Sequence, residues 1–465
     1  MSLPSSVQAR SSLAGAELPR VLGFTSVVGI LVGTVIGSGI FVAPNRIAEL
    51  VESPQLILAV WVVGGVLSFF GALAFAELGA AFPQAGGMYV YLRESYGSMV
   101  AFLFGWTLFF VIDSGAIATL SVAFSARYLP YFVPLSPFES KMVALALIGV
   151  LAGVNILGVR YGAALQNVLM FIKFGAIVAV SLTVFAFASG SASHFVEPAP
   201  PGWSDALSGG LVGKFGAALV LSLWAYKGWE AVTFSSGEIR NPQRNMPLGL
   251  LAGTAVVIVL YIATNLAYLY VFPAGQIARS SRIAADVMNA AIGPVGAYLI
   301  AGVILCSITG AANGNVLTAP RVFFAMARDG LFFRKFADLH PRLLTPHVSI
   351  LATGAWAAVL SVTGTFEQLA TYVVFGQWIF FGLTVGAVMI LRAKRPELPR
   401  PYRTWGYPVT PIVFILAALY ISASTLVTDP RRAAAGLAIV LAGVPACLYW
   451  QKRLPWQNRR VGGTA

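Results

Sequence analysis

Residues 27 to 41 read Val27-Val28-Gly29-Ile30-Leu31-Val32-Gly33-Thr34-Val35-Ile36-Gly37-Ser38-Gly39-Ile40-Phe41, with no charge anywhere in the run. Together with its neighbours this stretch is long enough to cross a bilayer as a helix. Gly29, Gly33 and Gly37, four apart, offer a smooth face for close helix contact, and packing alone would account for them. Gly37-Ser38-Gly39 is different, because two glycines around a serine at mid-span cost roughly 2 kcal/mol of helix propensity. Unwound backbone at that depth survives only if it is buried in protein or lines a cavity. The stretch therefore reads as a helix interrupted in mid-membrane.

The rest of the chain fits that environment. Of 465 residues 58% are hydrophobic and 10% charged, against roughly 25% charged in a soluble domain, and the mean hydropathy is +0.81. A soluble enzyme is excluded, and the lipid bilayer is the first partner. The apolar runs are continuous and do not alternate, which favours helices over a barrel. They lie near 21–48, 54–80, 98–125, 140–158, 163–188, 212–235, 247–273, 294–325, 347–364, 368–391, 408–427 and 433–450. Twelve spans are predicted, flanked by polar tails at 1–20 and 451–465. An even number puts both tails on one side, and loops on that side carry twenty Lys and Arg against eight opposite, including five within 321–342. Both tails are thus expected in the cytoplasm, in a cytoplasmic (inner) membrane. The net charge of +13 is a matter of topology, and no nucleic-acid partner is implied.

A second interruption, Trp224-Ala225-Tyr226-Lys227-Gly228-Trp229-Glu230, falls in the sixth span. Breaks in spans one and six occupy corresponding positions of two five-span halves, the pattern of a transporter built from inverted repeats. The halves are predicted at about 21–188 and 212–391, a transport core of 21–391 followed by helices eleven and twelve at 408–450. A helix broken in mid-membrane exposes carbonyls where its first half ends and N–H groups where its second half begins. Such a site suits an α-amino acid zwitterion, whose two charges backbone dipoles can match.

Charges inside spans need partners. Lys173 lies some ten residues into the fifth span, roughly 15 Å deep, beyond the about 6 Å that snorkelling covers, and the charge costs about 3 kcal/mol there. Carbonyls freed by the first break are its expected acceptors, with a water-filled crevice as the alternative. Lys227 either pairs with Glu230 or meets the substrate side chain. Asp113 reads as a coupling or substrate-side-chain residue, or as a neutral packing residue. Glu77 is expected to anchor a loop or inner gate, and Asn155, Asn265, Asn313 and Gln377 to bond between helices.

Other chemistries lack their residues. Gly213-Lys214 has Ser208 and Phe215 where a nucleotide-binding loop needs glycine and a hydroxyl. His194, His340 and His347 are scattered, so no metal site is expected. Cys306 and Cys447 sit in apolar runs and provide neither disulfide framework nor catalytic pair. No enzyme activity and no cofactor are predicted.

Several stretches resemble the amino acid-polyamine-organocation superfamily, in its L-type amino acid transporter branch of prokaryotic type. They are residues 33–41, Gly86 to Leu92, Gly228-Trp229-Glu230 with Glu238 to Pro242, Tyr261 to Tyr268, Arg321 to Gly330, and Arg400 to Pro408. The resemblance implies an all-α, LeuT-like fold with a 5+5 inverted repeat and a substrate site between spans one and six. Carried over by position, N–H groups at Ser38 and Gly39 take the carboxylate, and carbonyls of Val35, Trp224 and Lys227 take the ammonium. Ile40, Ala225 and Gly228 complete the set, and Trp224 is the aromatic gate. Lys173 resembles a built-in substitute for a bound sodium ion. The loop from Arg127 to Lys141 lacks the cysteine that tethers a subunit in eukaryotic members, so no disulfide-linked subunit is expected, only a monomer or weak homo-oligomer.

The function expected is secondary transport of α-amino acids, neutral ones foremost, by sodium-independent exchange or proton coupling. The rival is a membrane receptor that binds an amino acid without moving it. An ion channel would need a carbonyl filter or charged ring, which the sequence does not display.

Overall fold

The computed structural model describes residues 18–196, 209–363, 366–428 and 430–453. Most of both predicted tails lies outside these residues. Hydrocarbon offers the backbone no water, so each segment bonds within itself, and every described regular element is helical. The helices are α1 (Phe24–Val35), α2 (Gly39–Val51), α3 (Pro54–Ala81), the short α4 (Met88–Tyr96) and α5 (Ser98–Tyr131). They continue as α6 (Pro137–Leu157), α7 (Val159–Phe187), α8 (Gly209–Ala225), α9 (Pro242–Val271), α10 (Ile283–Ile292) and α11 (Pro294–Arg328). The last four are α12 (His347–Thr363), α13 (Phe366–Lys394), α14 (Val409–Thr428) and α15 (Pro430–Arg453).

Helix starts follow the sequence chemistry. Proline opens α3, α6, α9 and α11, at positions whose missing N–H would have had no acceptor in any case. Ser136 and Glu139 form a reciprocal cap on α6, with hydrogen bonds of 3.3 and 2.7 Å.

Nine described helices are long and apolar enough to cross a membrane unaided, and α1 with α2, bent by 43°, makes ten. The other two of the twelve expected spans are α8 and α12, each 17 residues long. The sixth predicted span ends at Ala225, well short of 235. The turn at residues 226–230 stops it, and a 3₁₀ segment, Ala231–Glu238, follows.

The broken helices form the centre of the molecule. α1 packs against α7, α9 and α11, and α2 against α8. Outward faces stay apolar, as with Phe171, Leu182, Val259 and Leu416, the arrangement lipid requires.

On the side where residues 18–23 lie, polar contacts tie the elements together. The N–H groups of Val21 and Leu22 donate to the Glu238 carbonyl at 2.9 Å, and Arg240 N–H donates to the Leu22 carbonyl at 2.8 Å. Arg321, counted above as a loop cation, is wholly buried and grips Glu238 through two bonds of 2.8 and 3.1 Å. α11 continues to Arg328 and carries Arg321 inward, leaving nineteen cations against eight. Tyr89 and Arg93 of α4 both bond Asp329. Burial alone would raise the Glu94 carboxyl, but bonds from Arg395 and Arg93 outweigh it and hold it below the usual carboxylate range. Glu77 anchors the loop after α13, accepting from Arg392 at 2.9 and 2.6 Å and from Thr404 N–H at 2.7 Å.

Of the buried amides, Asn155 donates to Asn313 at 2.9 Å, and Asn313 donates to Gln166 at 2.8 Å, joining α6, α11 and α7. Asn265 departs from expectation. It bonds the Tyr261 carbonyl one turn back in its own helix, at 2.8 Å.

Candidate substrate site between the broken helices

α1 ends at Val35 and α2 begins at Gly39, with Ser38 as an N-cap that makes no side-chain bond. As the opening residues of a helix, Ser38, Gly39 and Ile40 present N–H groups that have no acceptor within it. The carbonyl end is served differently. Lys173 of α7, fully buried, donates to the carbonyls of Gly33 at 2.5 Å and Ile36 at 2.7 Å. Ser307 of α11 directs its hydroxyl at the carbonyls of Ile36 (2.9 Å) and Gly37 (3.1 Å). Lys173 thus meets the carbonyl ends that the sequence reading assigned to it.

At the second break Gly228 adopts φ +121°, a conformation that glycine takes without strain. Its N–H donates to Glu230 Oε2 at 3.0 Å, and Glu230 Oε1 accepts from Gln377 of α13. Glu230 is therefore committed to backbone and amide. Lys227 makes no ion pair with it within 4 Å among the described residues, so of the two readings of Lys227 the pairing with Glu230 does not form.

The two breaks touch through glycines. A Cβ on Gly39 would lie 2.8 Å from Ala225 Cα, and one on Gly228 would lie 3.1 Å from the Thr34 carbonyl carbon and Val35 N. Each break thus fits against the other's backbone. Tyr261 of α9 spans both, directing its hydroxyl at the carbonyls of Val35 (3.2 Å) and Ala225 (3.1 Å).

Between them lies a cavity of about 70 Å³, room for a few waters. Val35, Ser38, Gly39, Trp224, Ala225, Lys227 and Gly228 all line it. Ile40 does not, because its side chain is packed in the core behind the break. The Val35 carbonyl already accepts Gly37 N–H at 2.8 Å as well as Tyr261, so neither of its lone pairs is free. Trp224 is partly exposed, with a ring atom 3.6 Å from the Cβ position of Gly39. Lys173 lies behind the break and outside the lining. Asp113 is 4% exposed and also lies outside it.

Sequence reading missed Ala116, Thr119 and Leu120 of α5 and Ala311 and Asn315 of α11, which supply the remaining walls with Thr34 and Gly37. The one signal available was spacing: Asp113, Ala116 and Leu120 recur at helical intervals.

A family model for amino acid permeases matches residues 22–446. The chain belongs to the amino acid permease family. The permease is similar to the human b(0,+)-type amino acid transporter 1, with 32% identity over 421 residues, 89% of this chain and 84% of that one. To the serine/threonine exchanger SteT of Bacillus subtilis it is 31% identical over 439 residues, covering 94% and 98% of the two chains. Identity to the human cystine/glutamate transporter is 30% over 450 residues, covering 95% and 87%. The likeness to L-type transporters read from the motifs thus holds along nearly the whole permease. It is a multi-pass membrane protein and a secondary amino acid transporter.

Proposed function

We propose that the permease moves small neutral α-amino acids across the cytoplasmic membrane by sodium-independent alternating access, with both termini in the cytoplasm. The observation that carries this reading is the small cavity of about 70 Å³ between the two breaks, which sets the residues that open α2 opposite Trp224 and Lys227 and leaves little room for a large side chain. The substrate carboxylate meets the N–H groups opening α2 at Ser38 and Gly39, where the helix dipole adds its attraction. Its ammonium meets the carbonyl of Lys227 and the second lone pair of the Trp224 carbonyl, which already accepts Lys227 N–H at 3.2 Å. Trp224, beside Gly39, closes over the bound molecule as the gate.

Lys173 serves as a fixed cation at the carbonyl end of α1, doing there what a bound sodium would do. Residues at about 21–188 and 212–391 act as the two inverted halves. The loop 127–141 contains no cysteine, which supports a permease working without a disulfide-linked subunit. Purified permease in liposomes distinguishes transport from reception. Labelled alanine should accumulate when the interior is preloaded with unlabelled alanine, whereas saturable binding without flux would favour the receptor.

A further inference from the structure

Lys227 lines the cavity, and no ion pair within 4 Å holds it among the described residues. Two carboxylates act on it electrostatically, Asp113 from α5 and Glu230 from its own segment. Both Glu230 oxygens are engaged, by Gly228 N–H and Gln377. Asp113 is buried, and its Oδ2 has no hydrogen-bond partner. It stands one turn before Ala116 on the α5 face that forms the cavity wall. α6, α11, α12 and α13 pack around this part of α5, and the charges that reach Asp113 are those of Lys227 and Glu230.

An ammonium at a cavity wall, attracted by two carboxylates and bonded to neither, has donors to offer a ligand. With both carboxylates ionised the cluster carries a formal −1, and with one protonated it is neutral. An acidic substrate side chain would set a third carboxylate beside Asp113 and Glu230 around a single ammonium. A cationic side chain would lie against Lys227 itself. A neutral oxygen can accept from Nζ without adding charge, and such a charge-assisted bond is among the stronger ones.

We propose that Lys227 determines specificity, donating to the hydroxyl or carboxamide oxygen of a small neutral polar substrate and excluding cationic side chains. Asp113 is the counter-charge that keeps the ammonium at the wall. The inference rests on the cavity being the amino acid site, so its test carries an internal reference. In liposomes preloaded with unlabelled alanine, the wild-type permease takes up labelled serine about tenfold better than alanine and takes up no ornithine. Lys227→Met brings the serine-to-alanine ratio of whatever exchange remains close to one, and Lys227→Asp admits ornithine. A Lys227→Met variant that exchanges alanine and keeps the serine advantage would overturn the proposal, as would ornithine uptake by the wild type. If Lys227→Met exchanges nothing, thermal-shift titration of the purified variant with serine and alanine applies the same criterion to binding. A wild-type permease inert to every amino acid fails differently, because it removes the site reading and this inference with it.

Discussion

The two breaks are stabilised with opposite charges. At the first, a cation borrowed from another helix, Lys173, holds carbonyls of Gly33 and Ile36. At the second, an anion from the same segment, Glu230, holds the Gly228 N–H. Each side chain neutralises one end of its interrupted helix and leaves the other end unmatched. What remains is N–H at the first break and, at the second, the Lys227 carbonyl with one lone pair of the Trp224 carbonyl, the pair that a zwitterion needs. The polarity of the site thus follows from which dipole ends the protein has already satisfied.

The comparison breaks most completely at Gly39. Gly39→Val would push a branched side chain onto the Ala225 backbone, 2.8 Å from where a Cβ would sit, and into the space of the carboxylate. Uptake should fall below detection while the protein still reaches the membrane, as surface expression alongside flux would reveal. Normal substrate affinity in this variant would remove the first break from the site.

Removing the compensating charges comes next. Lys173→Ala leaves the carbonyls of Gly33 and Ile36 without their cation, and bonds to charged groups are worth about 1.5–3 kcal/mol, so flux should drop roughly tenfold to a hundredfold. Glu230→Gln keeps a hydrogen-bond acceptor for Gly228 and should cost less, about tenfold at most. The reverse order would mean that the second break, and not the first, is the more dependent on charge. Initial rates at saturating and limiting substrate decide the order.

Tyr261→Phe removes a hydroxyl shared by both breaks and changes no charge. The expected loss is a few-fold, from a neutral hydrogen bond of about 1 kcal/mol. A loss as large as that of Lys173→Ala would sharpen the picture in another direction, making the cross-link between the breaks as important as their separate neutralisation.

Much of this site was legible in the sequence because membrane interiors make exceptions conspicuous. Gly37-Ser38-Gly39, Lys173 and the 224–230 segment each violate what hydrocarbon tolerates, and each stands at the centre of the fold. The walls supplied by Ala116, Thr119, Leu120, Ala311 and Asn315 were not legible. Their helices carry apolar or small residues at most positions, so the helical spacing of Asp113, Ala116 and Leu120 could not by itself single out the inward face. Arg321 was misplaced for a related reason: loop and helix end merge in sequence, and only the fold brings Glu238 to its guanidinium. The Lys227–Glu230 pair failed because Gly228 N–H and Gln377 occupy the carboxylate first.

The most direct test of the central claim, that a lysine fixed at the first break replaces a mobile cation while the zwitterion binds between the breaks, is alanine uptake into preloaded liposomes with external sodium exchanged for choline. The account predicts equal initial rates in the two salts, with strong stimulation by internal alanine in both. Uptake that rises steeply with sodium would contradict it, since a second cation would then have to enter the place that Lys173 fills.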